Sequence, residues 1–375
     1  MFSNQRIKVL QTIRQGQIGG GESHLLSLVQ NLDKDKFEPV VLSFTDGPMV
    51  QRLREMGIKT HIIYTEKPFA ITKWRKVKRF IAEHKIQLIH AHGTRATSNV
   101  FWAAKKLKIP LIYTIHGWSF HNDQNFFVKK IRLYAEKFLT SQSVVNISVS
   151  ASNQRTGKDH VGYFRSIVIT NGIDQSKFDP LLTFKNIRSE LGLPEEVILI
   201  LFIARFIQQK QPLKLVNAFS IASTQNKALR LLMVGDGSQK EEAIELVKKL
   251  GIEDKVIFLP FRQDVPDVLA SADIFVLPSL WEGLPIGLLE AMAMGKAIIA
   301  TRVDGTSEVL DGTNGVLLSL SNLEVELANA IKDLAGNQDL RKQLGEKARE
   351  TIKDQYSAKI MTRKIEDIYL NLLGR

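Results

Sequence analysis

Trp281-Glu-Gly-Leu-Pro-Ile-Gly-Leu-Leu-Glu-Ala-Met-Ala-Met-Gly295 decides how the whole chain is read. The run before it, Ala272-Asp-Ile-Phe-Val-Leu-Pro278, is apolar on both faces and ends in proline, which predicts a buried parallel strand. Glu282 and Gly283 then fall in a turn. Pro285 suits the first helical position, where a missing N–H costs nothing. Leu288, Leu289, Met292 and Ala293 recur at helical spacing, and Gly295 suits a left-handed residue at the helix end. The stretch is a strand, a glycine turn and a helix.

That order leaves the N–H groups of Ile286, Gly287 and Leu288 unpaired at a helix N-terminus, where an anion such as phosphate is the complementary ligand. Two carboxylates flank the place, Glu282 in the turn and Glu290 about two helical turns in. Next to a phosphate they need another partner, and sugar hydroxyls donate hydrogen bonds to carboxylate oxygens. An ordinary βα unit with a solvated cap and a surface glutamate fits the same residues, so the stretch alone leaves both readings open.

The pattern E-G-x-P-x-x-x-x-E-A-M-A-x-G, with Glu282 and Glu290 as its two acids, resembles the E-x7-E signature of the retaining glycosyltransferases of family 4. The resemblance extends over essentially the whole chain. It implies the GT-B fold, α/β with two Rossmann-like doubly wound domains facing across a cleft, and a nucleotide-activated sugar as donor. No cofactor and no catalytic metal are expected.

Composition sets the outer bounds. A chain of 375 residues exceeds one ordinary core, so two domains are expected. Cys is absent, which excludes a disulfide framework and a thiolate metal site. No apolar run approaches the ~18 residues that span a bilayer. Met-Phe-Ser-Asn-Gln-Arg6 leads straight towards a strand without a signal-peptide layout, and the expected location is cytoplasmic. Residues 1–180 carry 27 Lys/Arg against 13 Asp/Glu, a net +14, while residues 181–375 carry 24 against 26, a net −2. A basic half joined to a near-neutral half implies different partners for the two, an anionic surface or acceptor for the first. Phospholipid, anionic glycan and nucleic acid all satisfy that charge; the resemblance favours a glycan or lipid-linked acceptor and disfavours nucleic acid.

In the first half, Ile7–Ile13 reads as a strand running into the glycine-rich Gln15–Gly21 and a helix. Strand and helix patterns then alternate without hairpin signals, which means a doubly wound parallel sheet whose ligands sit at the carboxyl ends of its strands. By the resemblance, Gly20 and Gly21 close over the donor diphosphate, and His116, in Ile115-His-Gly-Trp118, stands beside the donor sugar. His90-Ala-His92 puts two imidazoles on one strand face, a metal pair in principle, but no third ligand at suitable spacing is evident and a role lining the acceptor side is expected.

Residues 68–82 place Phe69, Trp74, Val77, Phe80 and Ile81 at helical spacing, with Lys73, Arg75, Lys76, Lys78 and Arg79 on much of the remaining face. That layout reads as an interfacial helix on anionic lipid, with a domain helix bearing a solvated basic face as the alternative. Phe126–Tyr134 is a second and weaker instance.

Asn171-Gly-Ile-Asp174 resembles the element that ends the family's first domain, and Phe178-Asp-Pro-Leu-Leu-Thr suits a linker. The second sheet opens at Val197–Ala204. Arg205 and Lys210 follow at once, two cations suited to a diphosphate leaving group. The family form G-R-x-x-x-x-K-G has Ala204 and Gln211 here in place of its glycines, so the loop geometry around Lys210 is open. By the resemblance, Gly235 opens the nucleotide pocket, Arg262 borders the base, Gly283, Leu284, Ile286, Gly287 and Leu288 line the donor, Glu290 holds the ribose diol and Glu282 the sugar hydroxyls. Asp304-Gly-Thr-Ser-Glu308 resembles G-G-x-x-E with Asp304 replacing a glycine. The last helix crosses back onto the first domain.

These readings combine into residues 1–175 with 356–375 as an acceptor domain, residues 176–355 as a donor domain, and retaining transfer from a UDP-sugar, favoured over a GDP-sugar, in cell-surface polysaccharide synthesis. A GT-B nucleotide-sugar epimerase, a glycan phosphorylase and a non-enzymatic basic binding protein are the competing readings.

Overall fold

The computed structural model describes residues 6–121, 124–353 and 355–374. The N-terminal residues 1–5, expected to lead into the first strand, lie outside the described residues. Thirteen strands form two sheets among the described residues, and every pairing is parallel. The first sheet contains β1 (Ile7–Ile13), β2 (Phe37–Ser43), β3 (Lys59–Ile62), β4 (Leu88–His92), β5 (Leu111–Ile115), β6 (Val145–Ser148) and β7 (Ile167–Val168) in the order β3-β2-β1-β4-β5-β6-β7. The second contains β8 (Ile198–Ile203), β9 (Leu229–Val234), β10 (Val256–Leu259), β11 (Ile274–Leu277), β12 (Ala297–Thr301) and β13 (Val316–Leu318) in the order β10-β9-β8-β11-β12-β13.

Both sheets wind outward from one strand and then restart beside it. The reversals fall between β1 and β4 and between β8 and β11, and such switch points open the crevices where ligands of these sheets bind. The central strands of the second sheet are apolar on both faces because helices cover both. In β8, Leu199, Ile200, Leu201 and Phe202 are all fully buried.

The chain divides into two compact units, Met1–Gly172 with Ala358–Arg375, and Ile173–Ser357. Ile173 is tied into the second by its N–H to the Tyr356 carbonyl at 2.9 Å and by a parallel bridge to Ser357. The stretch from Phe178, expected as a linker, belongs inside the second unit. Phe178 is buried there, and Asp179 accepts from Arg349 at 2.7 Å.

The helix Ala358–Leu373 presents Met361, Ile365, Ile368 and Tyr369 on one stripe, and these pack with Leu28, Leu32, Phe37 and Leu88 of the first unit. Burying an Ile or Leu fully contributes about 1.5–3 kcal/mol, so this stripe is enough to hold the tail on that unit.

The sequence reading of residues 68–82 as the membrane-facing helix is corrected. In the helix Ile71–Glu83, Val77, Phe80 and Ile81 are buried, and Phe69 and Trp74 pack against the same core. Val77, Phe80 and Ile81 turn into the first unit, while Arg75, Lys76 and Arg79 stay outside together with Ile71 at the helix start. Among the described residues no helix is long and apolar enough to cross a membrane.

Candidate active site

The carboxyl ends of β8 and β11 bring two of the second unit's predicted residues together, Lys210 and Glu282, while Gly235 and Arg262 follow β9 and β10. After β8 the chain makes a short 3-10 turn, Gln208–Lys210. That turn is fastened to the segment following β11: the Leu280 N–H donates to the Gln209 carbonyl and the Gln209 amide to the Trp281 carbonyl, each at 2.8 Å. The consequence is an ion pair between Lys210 and Glu282, with side-chain exposures of 15% and 7%. The Gly305 N–H, beyond β12, donates to the Glu282 carbonyl at 3.5 Å.

The helix of the opening stretch spans Ile286–Ala293, with Pro285 as its N-cap residue at φ −74° rather than its first helical residue. Gly295 takes φ +63°, the left-handed position read from the sequence. Leu289 is the first residue whose N–H is bonded back, to Pro285, so those of Ile286, Gly287 and Leu288 have no backbone acceptor among the described residues. Leu284, Ile286 and Leu288 are buried, so their contribution to a ligand comes from backbone. Glu290 is partly buried and has no side-chain partner among the described residues; burial pushes its carboxyl up to about 8.

The departures from the family pattern have a structural reading. Gln211 stands where the pattern has glycine and adopts φ +53°, ψ +45°. A non-glycine residue in that region costs about 1–2 kcal/mol. Gln211→Gly is therefore expected to raise stability by about 1 kcal/mol, read as a higher urea midpoint at unchanged m-value. Gly235 takes φ +137°, and a Cβ there would stand 2.1 Å from the Ala204 carbonyl oxygen, so the loops after β8 and β9 touch only because this residue is glycine. Asp304 faces Glu282 and Glu308, and burial first, then those two charges, pushes its carboxyl up.

The two outlying cations differ. Arg205 is partly buried and its guanidinium has no ion pair among the described residues. Arg262 is clamped by Glu190 at 2.5 Å and by Asp264 at 2.9 and 2.6 Å, and these hydrogen bonds push its pKa up. Sequence reasoning missed Gln209, which fastens two of the loops. It also missed Lys240, whose ammonium holds the loops after β9 and β10 through the Gly235 carbonyl at 2.9 Å and the Leu259 carbonyl at 3.3 Å.

In the first unit, Gly20 and Gly21 open the helix Gly20–Asn31, and a Cβ at Gly21 would stand 3.2 Å from the His116 ring. His116 follows β5 and is one member of a histidine cluster. His92 Nδ1 lies 3.1 Å from His116 Nε2, and His92 Nε2 lies 2.9 Å from Gln11 Oε1. Gln11 donates to the Tyr369 hydroxyl at 2.8 Å, which also meets His90 Nδ1 at 2.6 Å; His90 Nε2 meets Thr114 Oγ1 at 2.6 Å. His24 joins from the helix, 3.0 Å from Asn171.

Two expectations change here. His90 and His92 are 0% and 1% exposed and do not line an acceptor side, because β4 is covered on both faces. And the third and fourth imidazoles that sequence spacing did not offer are supplied by the fold: one nitrogen each of His24, His92 and His116 lie within 4.8 Å of one another. Burial depresses all of them, His24 to about 4 and the other three well below the ordinary value, so the cluster is neutral at pH 7.

Two doubly wound parallel sheets in one chain, the second with amides, cations and acids at its switch point, make up the GT-B class of α/β enzyme. The family described as Glycosyl transferases group 1 matches residues 183–351, and Glycosyltransferase Family 4 matches residues 18–177. The chain belongs to this glycosyltransferase family. The UDP-Gal:alpha-D-GlcNAc-diphosphoundecaprenol alpha-1,3-galactosyltransferase of Escherichia coli is 22% identical over 99% of this chain and 98% of its own. The N-acetyl-alpha-D-glucosaminyl L-malate synthase of Bacillus anthracis is 28% identical over 85% of this chain and 84% of its own. The crystal structure of Anabaena Alr3699/HepE in complex with UDP and glucose has the same fold, with a TM-score of 0.85 at 22% identity over 98% of this chain and 100% of that one.

Proposed function

We propose that the chain is a retaining glycosyltransferase that moves a sugar from a UDP-sugar to a glycan or lipid-linked acceptor in cell-surface polysaccharide synthesis, working at the cytoplasmic face of a membrane. The observation that carries this reading is the Lys210–Glu282 ion pair at the β8/β11 switch point, in the turn that leads into a helix whose first N–H groups, of Ile286–Leu288, have no backbone acceptor among the described residues. The Anabaena neighbour was crystallised with UDP and glucose, and the Escherichia coli relative is named for UDP-Gal; both support the choice of donor.

In this reading Arg205 and Lys210 neutralise the diphosphate as the glycosidic bond breaks, helped by the three amides. Lys210, already held by Glu282, is positioned before the donor arrives, so little reorganisation is spent on it. Glu282 accepts from sugar hydroxyls, Glu290 from the ribose diol. His116 offers a neutral imidazole to a sugar hydroxyl. The acceptor oxygen attacks the face that the phosphate leaves, and a phosphate oxygen takes the acceptor proton, so the protein supplies no nucleophile. The basic first unit suits an anionic acceptor. No metal takes part, and a chelator leaves turnover unchanged.

Proton NMR of the first-formed product tests the reading: it expects the donor's anomeric configuration to be kept, and inversion overturns it. Donor turnover to an epimer without any acceptor favours the epimerase.

Glu290 adds a pH signature. A carboxyl at about 8 is mostly protonated at neutral pH in the free protein, and accepting one hydroxyl hydrogen on each of its two oxygens takes the ionised form, because the protonated oxygen donates. Donor affinity is expected to rise about tenfold per pH unit up to about pH 8 and level off above it. Because the folded pKa lies above the ordinary one, the group's contribution to stability is complete below about pH 4.5 and is lost as pH rises through about 8. Glu290→Gln removes both dependences; calorimetric titrations from pH 6 to 9 check this.

A further inference from the structure

The helix Phe126–Gln142 is built inside out. Its inward side carries Glu136, fully buried, which accepts from the Tyr113 hydroxyl at 2.9 Å and the Thr94 hydroxyl at 2.7 Å, with Leu139 and Thr140 beside it. Its outward side carries Phe127, Ile131, Tyr134 and Phe138, which are 73%, 69%, 65% and 42% exposed. The spacing of four, three and four residues sets these side chains on one stripe along three helical turns. Phe126, at the same end, is 68% exposed.

Single exposed apolar residues are ordinary, but a continuous aromatic and aliphatic stripe on a soluble surface marks a binding face. The buried hydrogen bonds of Glu136 and the core packing of Leu139 hold the helix, so Phe127, Ile131 and Tyr134 are not needed to fold it. Asn125 caps its start, accepting from the Phe127 N–H at 3.0 Å.

Charge selects the occupant. Lys130 and Lys137 are exposed beside the stripe, Lys129 and Arg132 lie on the same helix, and its one acid is the buried Glu136. The stripe continues past Phe138, whose ring lies 6.4 Å from that of Phe69, to the start of the helix Ile71–Glu83, where Ile71 is 69% exposed and Arg75, Lys76 and Arg79 point outward. A second copy of this chain would set these cations against their equivalents. A surface that is both apolar and anionic meets the whole patch, and an anionic lipid bilayer is such a surface.

We infer that the helix Phe126–Gln142 is the membrane-docking element of this chain, seating Phe127, Ile131, Tyr134 and Phe138 in the interfacial region of an anionic leaflet with Lys130 and Lys137 at the headgroups. The inference deepens the proposed work at a membrane face, and its test uses neither donor nor acceptor, so it stands or falls apart from the transfer chemistry.

The full-length protein is mixed with vesicles of phosphatidylglycerol and phosphatidylcholine in equal parts, or of phosphatidylcholine alone, and separated by flotation. Binding to the anionic vesicles alone is expected. Phe127→Ser with Ile131→Ser, and separately Lys130→Glu with Lys137→Glu, should each lower partitioning about tenfold or more while thermal melting is unchanged. Lys248→Glu with Lys249→Glu, the same change of net charge in the second unit, should leave partitioning within about twofold. Failure of the wild type to float, equal floating of the serine variant, or equal loss in the Lys248/Lys249 variant would each overturn the proposal. So would a concentration-dependent dimer in sedimentation that the serine substitutions abolish.

Discussion

Arg205→Ala lowers turnover by roughly two to three decades, the scale of one preorganised charge donor at a leaving group, while the protein melts at the wild-type temperature. The separation of the two effects follows from the surroundings of the side chain. The guanidinium follows a strand whose four middle residues are fully buried but makes no ion pair among the described residues, so no charge in the free fold depends on it. Its partner in the proposed reaction is the diphosphate, whose charge grows as the bond to the sugar breaks. A steady-state assay beside a melting curve checks both halves, and near-wild-type turnover would remove Arg205 from the mechanism.

Lys210→Ala should cost the same in turnover and, unlike Arg205→Ala, destabilise the second unit by about 3–5 kcal/mol. Glu282 is 8% exposed, and removing the ammonium leaves its carboxylate buried without its partner. Replacing both groups at once, Lys210→Met with Glu282→Gln, should restore most of the stability and none of the activity, because two neutral side chains of similar volume remove the uncompensated charge. Urea unfolding of Lys210→Met, Glu282→Gln and the double variant gives the coupling directly. If Lys210→Ala is as stable as the wild type, the pair does not matter to the fold, and Lys210 is held in place by something else.

These two variants also show where sequence reading reaches and where it stops. The strand, turn and helix around Trp281–Gly295 were legible because every cue is local: an apolar run, a proline, a glycine and a 3.6-residue period. The amides of Ile286–Leu288 followed from those cues alone. The Lys210–Glu282 pair was not legible, since the partners stand 72 residues apart and meet only when β8 and β11 lie side by side. The histidine cluster needed the same assembly, with His24 on a helix, His92 on β4, His116 past β5 and Tyr369 at the far end of the chain.

Gln211 was visible as a departure, but its left-handed backbone was not. The two basic helices are the clearest lesson. Periodicity marks an apolar stripe without saying which way it faces. The stripe of Ile71–Glu83 turned into the core and that of Phe126–Gln142 turned out, because the latter spends its inward face on Glu136. The strand β13, only three residues long, carries too short a pattern to be read.

The transfer chemistry rests on a nucleoside diphosphate held at the carboxyl ends of β8 and β11. Calorimetric titration of UDP into the wild-type protein and into Glu290→Ala, at pH 8 and without divalent cation, tests this most directly. A saturable site with one UDP per chain is predicted for the wild type, weakened at least about tenfold when the carboxylate that accepts from the ribose diol is removed. Equal affinity in both proteins, or no binding of UDP or GDP to either, would contradict it.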